Sequence, residues 1–295
     1  MMRLQGQLDG ASLENELDRL IFPYVDPLFL TMNQSHTIEG SKDRGAPQLD
    51  AGMTTFCTAG HMMNSEDYYG VEVISDVYGF PIGQDDRSGV LVQISNVGDG
   101  RKSNRNEIVV GWHVHPGLYG DSKTHFYVLW TRDGYESTCS FNLLRPGYVP
   151  ESNIMMAPGV TIDVVSDPDG IKRTIIFKVL KDSAGDWLVH IGFDSEPYLI
   201  GRFPKSLFTS LGDKADNIQI GGFVVTTTTQ WAPMGSGFLS NNVKAASFSN
   251  IQLIDQNGKK TKVTRGQHPF SSDKNIYSVS PINIEGKFTY GGPLQ

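Results

Sequence analysis

Two cysteines in 295 residues, Cys57 and Cys139, are too few for a disulfide framework, and neither has a partner at zinc-ligand spacing. No apolar run approaches the ~18–20 residues that a membrane-crossing helix needs. The opening residues MMRLQGQLDG lack the apolar block of a signal peptide, which leaves secretion and the cytoplasm both open. Positive charge is in short supply: 25 Lys and Arg stand against 32 Asp and Glu, net −7, with no basic stripe. That argues against nucleic acid and anionic membranes as partners. No phosphate-binding glycine loop and no internal repeat occur. What is present in quantity is glycine (32) and dispersed apolar residues (39%), which excludes general disorder and suffices for a sizeable core, in one large domain or two small ones.

Ser12 has the character of a helix N-cap, with Leu13, Leu17, Leu20 and Ile21 following at helical spacing and Pro23 ending the run. Residues 31–65 are polar, glycine-rich and unpatterned, so 1–65 reads as a short helix plus an arm or linker, and 66–295 as the folded domain. From Tyr68 onward short strand signals dominate: 71–77, 90–95, 108–114, 126–130, 160–165, 174–180, 187–193, 218–227, 245–248 and 251–254. Turn residues separate them, among them Gly98-Asp99-Gly100, Asp167-Pro168-Asp169-Gly170 and Asn257-Gly258. Only 204–211 reads as a helical turn. The spacing predicts an all-β fold, an antiparallel sandwich or barrel.

His113-Val114-His115 places two imidazoles on one face of a strand. A third ligand from His125 or His190 would complete a metal site; a strand pair of this kind is more commonly metal-free. Gly235-Ser236-Gly237 lacks the nucleophile-elbow pattern. Asn33-Gln34-Ser35 is a single glycosylation sequon. Glu107, Asp133, Glu136 and Asp163 lie near strands, and two carboxyls held in different environments can share acid and base roles.

The order of motifs adds to this. Tyr68-Tyr69-Gly70, Gly111-Trp112-His113-Val114, Pro116-Gly117-Leu118-Tyr119-Gly120-Asp121 and Trp130-Thr131-Arg132-Asp133-Gly134-Tyr135 come first. Asn142-Leu143-Leu144, Phe203-Pro204, Gly221-Gly222, Met234-Gly235-Ser236-Gly237 and Tyr290-Gly291-Gly292-Pro293 follow. Together, from Tyr68 to Pro293, this resembles the neprosin family of glutamic peptidases. The resemblance implies an antiparallel β-sandwich and two catalytic glutamates, one in a pattern like Ile-Glu-Ala-Gly-Trp and one in a pattern like Trp-Gly-Gly-Glu. Val109 and Phe223 occupy those two positions. A peptidase of this kind needs one carboxyl to activate water and another to protonate the leaving amine, so the resemblance implies that peptidase activity is lost. The polar ends of the family's Gln-Met-Gly-Ser-Gly-His stretch are Pro233 and Phe238 here. Its disulfide positions fall on Ser140 and Arg145.

Three functions follow as expectations. In the first, an apolar cleft binds a hydrophobic small molecule and promotes a cofactor-free cyclisation or cycloaddition, in the manner of fungal hetero-Diels–Alderases. His113, Arg132 and Tyr119 are the candidate catalytic donors there. Glu107, Val109, Trp112, Gln219, Phe223, Thr227 and Phe238 are the candidate substrate contacts. In the second, the domain is a non-enzymatic pseudopeptidase that binds a peptide or protein. In the third, it is a residual acid hydrolase using Glu107 and Asp133, with Glu107 brought into place by its position two residues before Val109. No cofactor or metal is implied. Residues 1–65 are expected to serve as a leader or as a lid over the cleft.

Overall fold

Strict alternation of side chains sorts this chain into strands, and the burial of those strands decides how they stack. The computed structural model describes residues 54–227, 230–265 and 268–293; the expected helix at 12–21 and the sequon at Asn33 lie outside the described residues. Among these residues the strands form two antiparallel sheets, as the all-β sandwich expectation required.

The first sheet has seven strands: β1 (Thr55–Tyr68), β3 (Arg87–Asn96), β4 (Asn106–Val114), β5 (Thr124–Thr131), β6 (Ser140–Phe141), β11 (Ala215–Thr226) and β15 (His268–Ser271). Their order is β15-β1-β11-β3-β4-β5-β6. The second sheet has ten: β2 (Gly70–Asp76), β7 (Val149–Pro150), β8 (Thr174–Lys181), β9 (Trp187–Phe193), β10 (Tyr198–Phe203), β12 (Met234–Gly235), β13 (Ala246–Ile254), β14 (Lys260–Lys262), β16 (Ser278–Val279) and β17 (Phe288–Gly292). Its main order is β12-β17-β13-β2-β8-β9-β10-β7, with β14 on β13 and β16 on β17. A one-turn helix, α1 (Pro116–Tyr119), follows β4.

The core lies between the sheets. Val71 and Val73 of β2, Phe177 of β8 and Trp187 of β9 meet Val92 of β3, Val110 and Trp112 of β4, and Ile220 of β11, all essentially without exposure. Burying each such side chain stabilises by about 1.5–3 kcal/mol. The second sheet keeps a half-solvated outer face, so β8 alternates buried and partly exposed residues. The first sheet does not: β3, β4 and β5 are buried at every position.

Several readings need correction. Residues 55–65, expected as arm, are strand: β1 pairs with β11 from Thr55 to Tyr68. The stretch escaped notice because both faces are buried from Cys57 to His61, where Thr58, Gly60 and His61 interrupt any apolar alternation. The expected strand at 160–165 reduces to one bridge, Thr161 to His125. The two expected strands at 245–248 and 251–254 are one, β13, with a register shift around Asn250 at φ 50°. The helical turn at 204–211 is two 3-10 turns, Lys205–Leu207 and Ser210–Gly212.

Gly111 sits mid-strand on the second buried face. A Cβ there would run into the Val90 carbonyl oxygen and lie 2.9 Å from the Tyr127 ring. Gly111→Ala is therefore expected to cost about 3 kcal/mol, read from urea unfolding; a change below ~0.5 kcal/mol, the usual surface value, would contradict the close approach.

Candidate functional site

The outer face of the first sheet is built in cross-strand rows. Register puts Thr58, Phe223, Gly89, His113 and His125 in one row. Two residues along is a glycine-rich row of Gly60, Gly221, Leu91, Gly111 and Tyr127, and four along stand Met62, Gln219, Gln93, Val109, Leu129 and Phe141. A final row runs Asn64, Asn217, Ser95, Glu107 and Thr131.

Val109 and Phe223 are both fully buried, in one apolar cluster with Leu91, Tyr127, Leu129 and Phe141. The Phe223 ring stacks on Phe56 at 6.1 Å and meets Tyr127 edge-on at 6.3 Å. Tyr127 stacks on Phe141 at 5.7 Å, and its hydroxyl donates to the Val90 carbonyl at 3.1 Å. The space expected to be a cleft between Val109 and Phe223 is thus lined by packed rings.

At one end of this cluster the structure joins two of the expected donors. His113 stacks on Tyr127 at 4.4 Å, and its Nε2 shares a 2.9 Å hydrogen bond with the Tyr119 hydroxyl. Helix α1 delivers Tyr119 there; Gly120, at φ 75°, ends the turn in the left-handed region that favours glycine. Asn142 donates to the same phenol oxygen at 3.1 Å. Which of the two groups donates in the His113–Tyr119 bond is set by the imidazole tautomer. Nδ1 is buried and meets no hydrogen-bond partner among the described residues.

Burial, then the charges of His115, Arg87 and His125, holds the His113 pKa well below its ordinary value, so the ring is a neutral donor. Burial and Arg87 push His115 down to about 2. The third imidazole of a metal site is not delivered. The Tyr119 ring stacks on His125 at 3.7 Å and stands between it and His113, while His190 belongs to β9 in the other sheet. Among the described residues no three potential ligand side chains converge on a cation position.

At the other end, Glu107 receives Arg105 Nε at 2.8 Å and the Tyr135 hydroxyl at 2.5 Å. Arg105 and Glu107 are both buried, so this is a closed ion pair and not an idle acid. Burial and the Glu107 charge push the Tyr135 phenol far up. Asp133 caps its own loop, accepting from the Ser137 and Thr138 hydroxyls at 2.5 and 2.7 Å. Burial raises its pKa, but these bonds prevail and hold the carboxyl below its ordinary range.

Four expected contacts lie elsewhere. Trp112 faces the sandwich core and donates to the Asp76 carbonyl at 3.1 Å, because strand parity sets it opposite His113. Arg132 is exposed and lies seven residues beyond His125, roughly 23 Å along the strand. Thr227 closes the end of β11 by donating to Asp86 through its amide and its hydroxyl. Phe238 is outside the cluster, beneath the Lys244 ammonium at 5.3 Å. Gln219 is in the face as expected, beside Gln93, which sequence reading missed.

A model of the neprosin family matches residues 84–293. The chain belongs to the neprosin family. Among solved structures it is similar to scytalido-glutamic peptidase bound to a peptide-based transition-state analogue, at 10% identity and a TM-score of 0.43, over 82% of this chain and 100% of that one. It is also similar to SCP-B, of the eqolisin peptidases, in complex with the tripeptide Ala-Ile-His, at 11% identity and a TM-score of 0.40, over 82% and 100% of the two chains. An alginate lyase in complex with alginate trisaccharide follows at 12% identity and a TM-score of 0.29, over 58% and 67%.

Ser140 and Arg145 close their loop by hydrogen bonds. The Ser140 hydroxyl donates to the Arg145 carbonyl at 2.9 Å and accepts from its amide at 3.2 Å. Both cysteines are free.

The buried histidines of this neprosin-family domain set its pH dependence. His61, His113, His115 and His190 all have lowered pKa values, burial being the first cause for each. They are neutral in the fold and protonated in the unfolded chain below their ordinary 6.5. The unfolded state then binds more protons, so stability is present above pH ~6.5 and falls as the pH drops below it. The urea midpoint is expected to fall between pH 7.5 and 5.5; a rising or constant midpoint contradicts the neutral assignment.

Proposed function

We propose that this domain does not hydrolyse peptides and instead holds an apolar small molecule against the outer face of its seven-stranded sheet, promoting a cofactor-free cyclisation or cycloaddition. The observation that carries this reading is the company kept by Val109 and Phe223. Where the family resemblance expects two glutamates, an apolar aromatic cluster adjoins a neutral imidazole locked by Tyr119. Val and Phe neither activate water nor protonate an amine. The carboxyls closest to hand by sequence, Glu107 and Asp133, are committed to Arg105, Tyr135 and loop hydroxyls, which counts against the residual hydrolase.

A hetero-Diels–Alder reaction suits such a face. A heterodiene and an alkene form one C–C and one C–O bond, three π bonds become one, and no atom leaves. Holding both partners in a reactive pose is worth up to about 7–11 kcal/mol. His113 Nδ1–H is the donor for the heterodiene oxygen, whose electron demand rises on accepting the bond, and Tyr119 acts as a positioning residue by fixing the tautomer. A donor of this type contributes roughly 10²–10³ in rate.

The test uses an o-quinone methide, released in solution, with styrene as the alkene. The protein is expected to give 2-phenylchroman above the background rate and with enantiomeric excess. Tyr119→Phe, its folding checked by Tm, is expected to lose about tenfold in rate, less than the full worth of one donor. Racemic product at the background rate contradicts the reading.

A further inference from the structure

Gln93 and Gln219 are direct partners across β3 and β11, so their side chains stand side by side on the outer face of the first sheet. They are 0% and 1% exposed. Neither the carboxamide oxygen nor the nitrogen of either residue meets a hydrogen-bond partner among the described residues. The adjacent row shows that this face can satisfy amides. Asn217 accepts from the Ser95 hydroxyl at 3.2 Å and donates to Asn64 at 2.6 Å. Buried polar groups are nearly always paired, and leaving one unmet is costly. Four such atoms on two neighbouring side chains form a prepared recognition edge.

We infer that Gln93 and Gln219 anchor the polar end of the ligand, and that this end is a neutral group with an acceptor and a donor on the same or neighbouring carbons, as in a carboxamide or an enolised hydroxy-ketone. The inference rests on the small-molecule reading above. A primary amide offers one acceptor and two donors, so a pair side by side complements such a group in both senses. Val109, the next residue in the row, meets the apolar body. Neither glutamine carries charge, and an ionised carboxylate would be desolvated there without a compensating cation, which an apolar face resists. The pair is therefore a determinant of specificity for neutral ligands.

Methionine matches glutamine closely in length and removes the amide. The Gln93→Met/Gln219→Met double variant is expected to raise Tm by about 4 °C or more, since it deletes unmet polar atoms. Ligand-observed NMR with 4-phenylbutanamide is expected to show binding to the unaltered protein and at least roughly tenfold weaker binding to the double variant, with 4-phenylbutanoate weak on both. A fall in Tm would mean that the amides have partners in the fold and would overturn the inference. So would equal binding of the amide to both proteins, or no binding to the unaltered one. Failure of the cycloaddition with amide binding intact strikes the proposed reaction alone; a fall in Tm strikes the anchor alone.

Discussion

The rest of the molecule depends on one constraint: the central strands of the seven-stranded sheet, β3, β4 and β5, are buried on both faces. A sheet that packs on one side only can leave polar residues to water, as β8 does. Strands β3, β4 and β5 have no such outlet. Every polar side chain on them must find a partner inside the protein or remain unmet. That is why Glu107 is tied to Arg105 and Tyr135, why His113 is neutral and bonded to Tyr119, and why Asn217 sits in a chain with Ser95 and Asn64.

The same constraint shapes the chemistry that is open to the face. A buried, water-poor surface with two ionised catalytic glutamates would need strong compensation. Val109 and Phe223 carry no charge and belong to the aromatic cluster with Tyr127 and Phe141. What remains polar is neutral or already paired: an imidazole, a phenol, two carboxamides, and an ion pair at the far end. Under the proposed function such a set orients and polarises a ligand and delivers no proton to a leaving amine. The Ser140–Arg145 hydrogen bonds close the loop after β6 without a covalent link.

Much of the fold was legible in the sequence because one-sided strands alternate. The β8 and β9 runs are plain, since their outer faces are partly open to solvent. β1 was not, because from Cys57 to His61 it is buried on both faces and has no polar phase to mark it there. Of the residues on the outer face, His113, Tyr119, Val109 and Phe223 were picked out from motifs and Gln219 from strand parity. Gln93 was missed because its importance lies in register: nothing in the chain says that residues 93 and 219 are direct partners, a fact set by how β3 and β11 align. Arg132 and Trp112 were misplaced for complementary reasons. Trp112 falls on the other face by parity, and Arg132 lies on the right strand at the wrong end.

The claim on which the account turns is that the face has lost acid hydrolysis. Proline-containing peptides incubated with the full chain from pH 3 to 7, with cleavage followed by mass spectrometry, test it directly. The account predicts intact peptides at every pH. Cleavage with an acid optimum, abolished by Glu107→Gln in a protein that still folds, would contradict it and return the domain to the hydrolases.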